Sequence, residues 1–145
     1  MAIKGVNLSQ VHVFSWDKDP DKGTEKAAKF RLKMLDGYQV AYINDLLMGF
    51  EQLGKEGHQS AKVNMGRVAL EAAQMALTEA ENFIDEKNMP ITLTKVRKNI
   101  NGRSYMVVED KVMAVLPSML LQDMYQFIQE QNGMVEAEGK KSATP

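Results

Sequence analysis

The sequence predicts a single α+β domain in which three main helices pack on small antiparallel β-hairpins. Its 145 residues are the length of one ordinary domain. Along the chain the spacing of apolar residues changes from alternation, which is typical of strands, to intervals of three and four, which are typical of helices. We expect the folded domain to span residues 11–133, between a flexible arm at residues 1–10 and a flexible polar tail at residues 134–145.

A first hairpin is predicted from two short segments that flank an acidic loop. The segment VHVFSW, residues 11–16, is rich in β-branched and aromatic residues. The segment KFRLKML, residues 29–35, alternates apolar with basic residues, as a half-buried strand does. Asp, Pro and Gly between residues 17 and 23 mark the connection. The two strands can therefore pair across that loop.

The acidic loop itself resembles a calcium site at its start. Asp17, Asp19 and Asp21 occupy the first, third and fifth positions of a possible EF-hand loop. The sixth position requires glycine and holds Lys22, and the twelfth requires a bidentate glutamate and holds Ala28. We therefore predict an acidic turn whose aspartates accept hydrogen bonds from nearby backbone amides, and we expect no metal and no cofactor.

Three helices follow from the apolar spacing. The first begins with Asp36 as its N-cap, and its apolar residues run from residue 35 to residue 53. The second is predicted from about Val63 to Lys87, with many alanines that permit a neighbouring helix to approach closely. The third follows Pro117, which suits the first turn, and ends before Gly133. Its apolar stripe comprises Leu120, Leu121, Met124, Phe127 and Ile128.

A second hairpin is predicted around the dipeptide Asn101-Gly102. These two residues best satisfy the positive φ angles of a type I′ turn. In that register Val96 faces Val107 and Lys98 faces Tyr105. The segment KVMAVL, residues 111–116, fits either a strand or a helix.

A net charge of −1 gives no bulk attraction to nucleic acid or to anionic membranes. Any electrostatic recognition must therefore come from local patches of charge. The hairpin is basic, and the predicted end of the second helix is acidic. Opposite patches on one molecule favour head-to-tail contacts between subunits, although both could be solvated faces or could pair within one subunit. The candidate interface residues are Lys95, Arg97, Lys98 and Arg103 in the hairpin, and Glu79, Glu81, Asp85 and Glu86 in the helix.

The sequence shows little sign of catalysis. The absence of cysteine excludes thiol nucleophiles and cysteine-ligated metal sites. His12 and His58 are far apart, and neither has a second metal ligand at helical spacing. No nucleophile elbow and no glycine-rich phosphate loop occurs. A small hydrolase would need carboxylates with perturbed pKa values in a cleft. We therefore predict no catalytic residue and no enzyme, and no apolar run predicts a membrane span.

One stretch resembles small structural and assembly proteins of tailed bacteriophages. SWDKDPDKGTEKAAKFRLKMLDGYQVAYIND, residues 15–45, combines an aromatic-ended strand, an acidic loop, a short strand and LDGYQ at a helix start. QEQNGMVEAEGKKS, near the end of the chain, is similar in style to such proteins. The resemblance implies a homo-oligomeric virion protein that is made in the host cytoplasm and contacts other virion proteins at the head–tail region, the tail or the capsid surface.

Two alternatives to a virion protein remain open. A tail-assembly chaperone would bind tail proteins transiently and be absent from the particle, and it fits the same features. A small nucleic-acid-binding regulator would use the basic hairpin at residues 95–103, although we do not expect nucleic acid as a partner.

Overall fold

The computed structural model describes residues 2–54 and 58–133, without the side chains of residues 49–64. Helices and antiparallel strands form one α+β domain, which confirms the predicted fold class. In chain order the elements are β1 (Val11–Phe14), β2 (Lys29–Lys33), α1 (Gly37–Gly54), α2 (His58–Ala76), β3 (Leu77–Glu81), β4 (Lys95–Ile100), β5 (Arg103–Val108), α3 (Asp110–Met113) and α4 (Ser118–Gln131).

The larger sheet has the strand order β1-β2-β3 and is antiparallel throughout. Val11 lies opposite Lys33 in β1 and β2, so the predicted hairpin across the acidic loop is confirmed. Residues of alternate positions point inward, and Phe14, Phe30 and Leu32 are buried. β1 is therefore an edge strand, with β2 on one side only among the described residues.

The predicted second helix is wrong at its C-terminal end. α2 ends at Ala76, and the chain continues as β3, which pairs with β2. Leu77 is fully buried at the start of that strand, and Glu79 lies opposite Arg31. Pairing with the sheet and burial of Leu77 therefore prevail over the helix propensity of the Ala- and Glu-containing segment. The helix also begins earlier than predicted, at His58.

α2 lies at the centre of the fold and packs against α1, α4, β2 and β5. Its inner face consists largely of small residues, as the sequence predicts for close helix approach. The buried residues of this face are Val68, Ala69, Ala72, Ala73, Met75 and Ala76. Bulkier side chains of the neighbouring elements, such as Ile43 of α1 and Met124 of α4, complete the core.

The second hairpin forms with the predicted turn and register. Asn101 and Gly102 have φ angles of 51° and 83°, which the type I′ turn requires. Val96 lies opposite Val107, and Lys98 lies opposite Tyr105. The turn chemistry thus sets the pairing of the whole hairpin.

The helix boundaries are set by short-range contacts. Asp36 is the N-cap of α1, as predicted: its Oδ1 accepts from the backbone N–H of Gln39 at 2.8 Å, and Gln39 Oε1 accepts from the Asp36 N–H at 2.9 Å. Pro117 lies at the N-cap of α4 and not in its first turn. Gly133 follows the helix with a φ angle of 64°, as predicted.

Four further predictions concern residues 111–116, the apolar stripe of α4, the tail and membrane-spanning helices. Residues 111–116 include most of α3, so that segment is partly helical and not a strand. In α4 the buried set includes Tyr125, whereas Phe127 is only partly buried. The predicted tail at residues 134–145 lies outside the described residues. Among the helices that the structure describes, none is both long and apolar enough to cross a membrane.

Candidate subunit interface

The two lysines of the predicted basic set form polar contacts with α2 and β3 of their own subunit. Lys98 Nζ lies 3.9 Å from Glu71 Oε1 and 3.4 Å from Gln74 Oε1, both on α2. Lys95 Nζ donates to the carbonyl oxygen of Leu77 at 2.8 Å. Partial burial and then the nearby ammonium of Lys33 lower the pKa of Lys95. These two lysines therefore hold the hairpin against the rest of the fold.

The two arginines of the hairpin are exposed. The Arg103 guanidinium carbon lies 3.4 Å from the centroid of the Tyr38 ring, which is a cation–π contact between the hairpin and the start of α1. Arg97 donates to Ser104 Oγ at 3.1 Å across the hairpin. Arg97 is thus the member of the predicted basic set with the fewest contacts to other elements among the described residues.

The predicted acidic residues lie on a strand and a turn, and not at a helix end. Glu79 and Glu81 belong to β3, where Arg31 Nη2 forms an ion pair with Glu81 Oε1 at 2.9 Å. Asp85 Oδ1 accepts from the backbone N–H groups of Lys87 at 2.8 Å and Met89 at 2.9 Å, which stabilises the turn after β3. Glu86 is exposed in that turn.

The basic and acidic sets are neighbours within one subunit. The carboxylate of Glu79 is close enough to Lys95 to raise its pKa, against the larger effect of burial. β3 and β5 are also in contact. The attraction between opposite patches is therefore partly satisfied inside the subunit, and head-to-tail pairing between the two sets stays a prediction.

The acidic loop is the turn that the sequence predicts. Asp19 accepts from the backbone N–H of Asp21 at 2.9 Å and from that of Ala28 at 2.7 Å. Lys22 forms a hydrogen bond and ion pair with Asp17 at 2.8 Å, which holds the pKa of Asp17 below its ordinary value. Among the residues whose side chains the structure describes, 2–48 and 65–133, there is no group of three or more His, Asp or Glu residues placed to hold a metal ion.

The histidines are separated in the structure as they are in the sequence. His12 lies on β1, and its ring meets the edge of the Phe127 ring at a centroid distance of 6.3 Å. His58 begins α2, and its side chain is outside the described set. His12 therefore packs against an aromatic ring, a contact that is structural in character.

Sequence reasoning missed the open edge of β1. Gln10 O accepts from Met34 N–H at 3.2 Å, and the register makes His12 and Phe14 the next residues that exchange hydrogen bonds with β2. The backbone N–H and C=O groups of Val11 and Val13 consequently point away from the sheet. Their side chains are 45% and 46% exposed on the outer face.

The arm before β1 carries apolar side chains in solvent. Ile3 is 99% exposed, Val6 61% and Leu8 53%. Asn7 organises a turn that separates residues 2–6 from β1: its Oδ1 accepts from the backbone N–H of Ser9 at 3.1 Å, and its carbonyl accepts from Gln10 N–H at 3.2 Å. The sequence predicts an arm at residues 1–10. Its apolar residues have no regular spacing, so the sequence does not indicate which surface they contact.

A groove of about 620 Å³ runs between the open edge of β1 and α4. Trp16 Nε1–H donates to Asp123 Oδ2 at 2.7 Å across one end of it, and Lys18 lies 3.8 Å from the same oxygen. The groove combines apolar side chains with an acidic rim. The residues that define it here are Val13, Trp16, Asp123, Gln126, Phe127 and Glu130.

A second cleft, of about 400 Å³, lies on the other side of Trp16 beneath the acidic loop. Its walls are mainly apolar and include Phe30, Phe83 and Leu120. It has no open strand edge among its lining residues. The groove beside β1 is therefore the concavity that offers both backbone and side-chain contacts to a partner.

No protein-family model, no curated protein and no solved structure matches this chain. Its surfaces and its sequence patterns therefore carry the functional inference.

Proposed function

We propose that this chain is a non-enzymatic structural subunit of a tailed-bacteriophage virion, which joins a larger assembly through contacts between its own copies and with other virion proteins. One observation carries the proposal: the arm and the outer face of β1 both expose apolar side chains beside an open strand edge. These are Ile3, Val6, Leu8, Val11 and Val13. Extended exposed apolar surface marks interaction sites, and an open strand edge is a template for pairing with another chain.

The resemblance of residues 15–45 to phage structural proteins supports the same proposal. In this structure the stretch runs from the end of β1 through the acidic loop and β2 into α1. It contains no catalytic motif, and its aspartates form ion pairs and backbone hydrogen bonds within the turn. The segment therefore has a structural role next to the open edge of β1, which agrees with an assembly protein.

The basic hairpin gives the nucleic-acid alternative little support. Lys95 and Lys98 contact the backbone and side chains of their own subunit, and Arg103 stacks on Tyr38. Phosphate binding depends on cations that can replace the counterions of the nucleic acid. A purified protein that fails to bind DNA and RNA at low salt would agree with the virion proposal.

The proposal is tested by the mass of the purified protein and by its presence in particles. We expect light scattering and native mass spectrometry to find a discrete oligomer, and we expect mass spectrometry of purified virions to detect the chain. A monomer at all accessible concentrations would overturn self-association. An oligomer that is absent from finished particles would instead identify the chaperone alternative.

A further inference from the structure

The arm and the groove beside β1 complement each other in backbone, shape and charge. We propose that residues 2–6 in the arm of one copy enter the groove of a second copy and add a strand to the open edge of β1. The inference rests on the proposed self-association and names the two surfaces that meet. The donor is the segment before the first strand, and the acceptor is the space between β1 and α4.

The backbone provides the first reason. Val11 and Val13 direct their N–H and C=O groups out of the sheet, into the space that an added strand would occupy. Strand addition satisfies such groups and is a recurrent mode of peptide recognition. Extended residues advance about 3.3 Å each, so residues 2–6 can reach about 17 Å beyond the turn at Asn7 towards a neighbouring subunit.

The side chains provide the second reason. Ile3 and Val6 precede the turn at Asn7, and their side chains are 99% and 61% exposed. The groove offers Trp16 and the half-buried ring of Phe127 as apolar surface. Contact with these rings removes apolar area of the arm from water, which favours binding.

Charge provides the third reason. Three carboxylates and one ammonium line the groove. Lys22 pairs with Asp17 and Lys18 lies near Asp123, so Glu130 is the lining carboxylate without an ion pair among the described residues. The only ionisable side chain in residues 2–10 is that of Lys4. A cationic segment therefore meets an acidic groove, which favours this pairing over contact between two arms. The groove residues concerned are Asp17, Asp123, Glu130 and Lys18.

A second copy is the occupant that fits the arm as observed. Residues 2–10 are exposed along their length, and the larger sheet that the structure describes contains β1, β2 and β3 alone. The turn at Asn7 leads residues 2–6 away from the ladder between β1 and β2. Two copies that exchange arms form a reciprocal dimer. Copies that each give the arm to the next one form a ring if the rotation closes.

A disulfide test uses the chain's lack of native cysteine. The single variants Ile3→Cys and Gln126→Cys would be mixed at equal concentration, dissociated in mild denaturant, reassembled and oxidised. We expect a disulfide-linked heterodimer that joins the arm of one chain to the groove of another. The matched control replaces Gln126→Cys with Ser118→Cys, which is exposed on the same helix about 12 Å away and outside the groove, and should give little product.

The double variant Ile3→Cys/Gln126→Cys distinguishes docking between chains from docking within one chain. Linked multimers are expected, whereas a monomer with an internal disulfide would overturn the inference. A stable oligomer in which neither experiment links the arm to the groove would also overturn it, while the proposed self-association would stand. A protein that is monomeric throughout would contradict the proposed function itself.

Proline substitutions test the backbone pairing. Val13→Pro removes an N–H that points to the open edge, a position where sheets tolerate proline. It should leave the monomer folded and weaken assembly by about tenfold or more in the dissociation constant. His12→Pro, which removes an N–H bonded to β2, should instead lower the stability of the monomer. If Val13→Pro fails to fold, Val13→Lys places an edge charge beside the incoming strand, and unchanged assembly of that variant would overturn the inference.

Discussion

The phenolic hydroxyl of Tyr105 donates to the carboxylate of Asp36, 3.1 Å from Oδ2 and 3.3 Å from Oδ1. The same carboxylate accepts from the backbone N–H of Gln39 at the start of α1. One side chain therefore caps a helix and joins it to the second hairpin. Burial, and then the hydrogen bond to the Asp36 carboxylate and its charge, raise the pKa of Tyr105.

Replacement of Asp36 should show both roles. Asp36→Ala removes the cap and the acceptor for Tyr105, and we expect the free energy of unfolding to fall by about 2 kcal/mol. Asp36→Ser keeps a capping oxygen but not the second contact, so its loss should be about half as large. Urea denaturation measures both values. Equal losses for the two variants would show that the cap contributes nothing measurable.

Tyr125 should make stability fall at high pH. Its hydroxyl is buried and has no hydrogen-bond partner among the described residues, and burial raises its pKa from 10.0 to about 12. The folded state thus holds the proton more tightly than the unfolded state. The resulting stability is fully present below pH 10 and is lost as pH rises towards 12.

Tyr125→Phe should remove that alkaline loss and raise stability at neutral pH by about 1 kcal/mol, since it deletes a buried polar group without a partner. Thermal unfolding of the two proteins between pH 8 and pH 11 measures the difference. Tyr38→Phe is the control, because Tyr38 is exposed. A parallel pH dependence of native protein and Tyr125→Phe would contradict this account.

Gln74 connects α2 to the second hairpin from inside the domain. It is buried, and its Nε2 donates to the carbonyl oxygen of Val108 and to Asp110 Oδ1, each at 2.7 Å. Gln74→Met keeps the approximate shape but leaves both acceptors without this donor. We expect a loss of about 2 kcal/mol in urea denaturation. Gln122→Met, an exposed position on α4, should change stability by less than about 0.5 kcal/mol.

Charge reversal in the hairpin should separate stability from assembly. Lys98→Glu places a carboxylate beside Glu71 and should lower the midpoint of thermal unfolding. Arg97→Glu should leave that midpoint nearly unchanged, since Arg97 is exposed and bonds only across the hairpin among the described residues. If the basic hairpin is a subunit interface, Arg97→Glu should weaken assembly and reduce its salt dependence. Unchanged assembly would remove the hairpin from the interface.

Much of the fold follows from local sequence signals. Asn101-Gly102 specifies its turn because few residue pairs adopt two positive φ angles, and the pairing of Lys98 with Tyr105 follows from that turn. Asp36 and Gln39 likewise satisfy each other over three residues. Such signals depend on neighbours in the chain, so they can be read without the tertiary structure.

The strand β3 and the candidate interface depend on contacts between distant segments, which local sequence signals do not show. Glu79 and Glu81 lie in a strand because β2 offers a sheet edge nearly 50 residues earlier in the chain, with Lys29 and Arg31 opposite them. The open edge of β1 and the groove beside α4 are also products of packing, and a single segment does not reveal them. The sequence therefore indicated which residues are charged or apolar, but not which of them remain available to a partner.

The direct passage from α2 to β3 limits where the length of this chain can change. No residue separates Ala76 from Leu77, so helix and strand share one continuous backbone. One added residue there would turn the alanine face of α2 by about 100° or reverse the two faces of β3, because a helix and a strand have different periods. An insertion in the exposed turn between Asp85 and Met89 would disturb only the hydrogen bonds of that turn, whereas one at the junction would displace core residues. The number of residues between α2 and β3 is therefore fixed by the packing of both elements, whereas exposed turns of the domain can change in length.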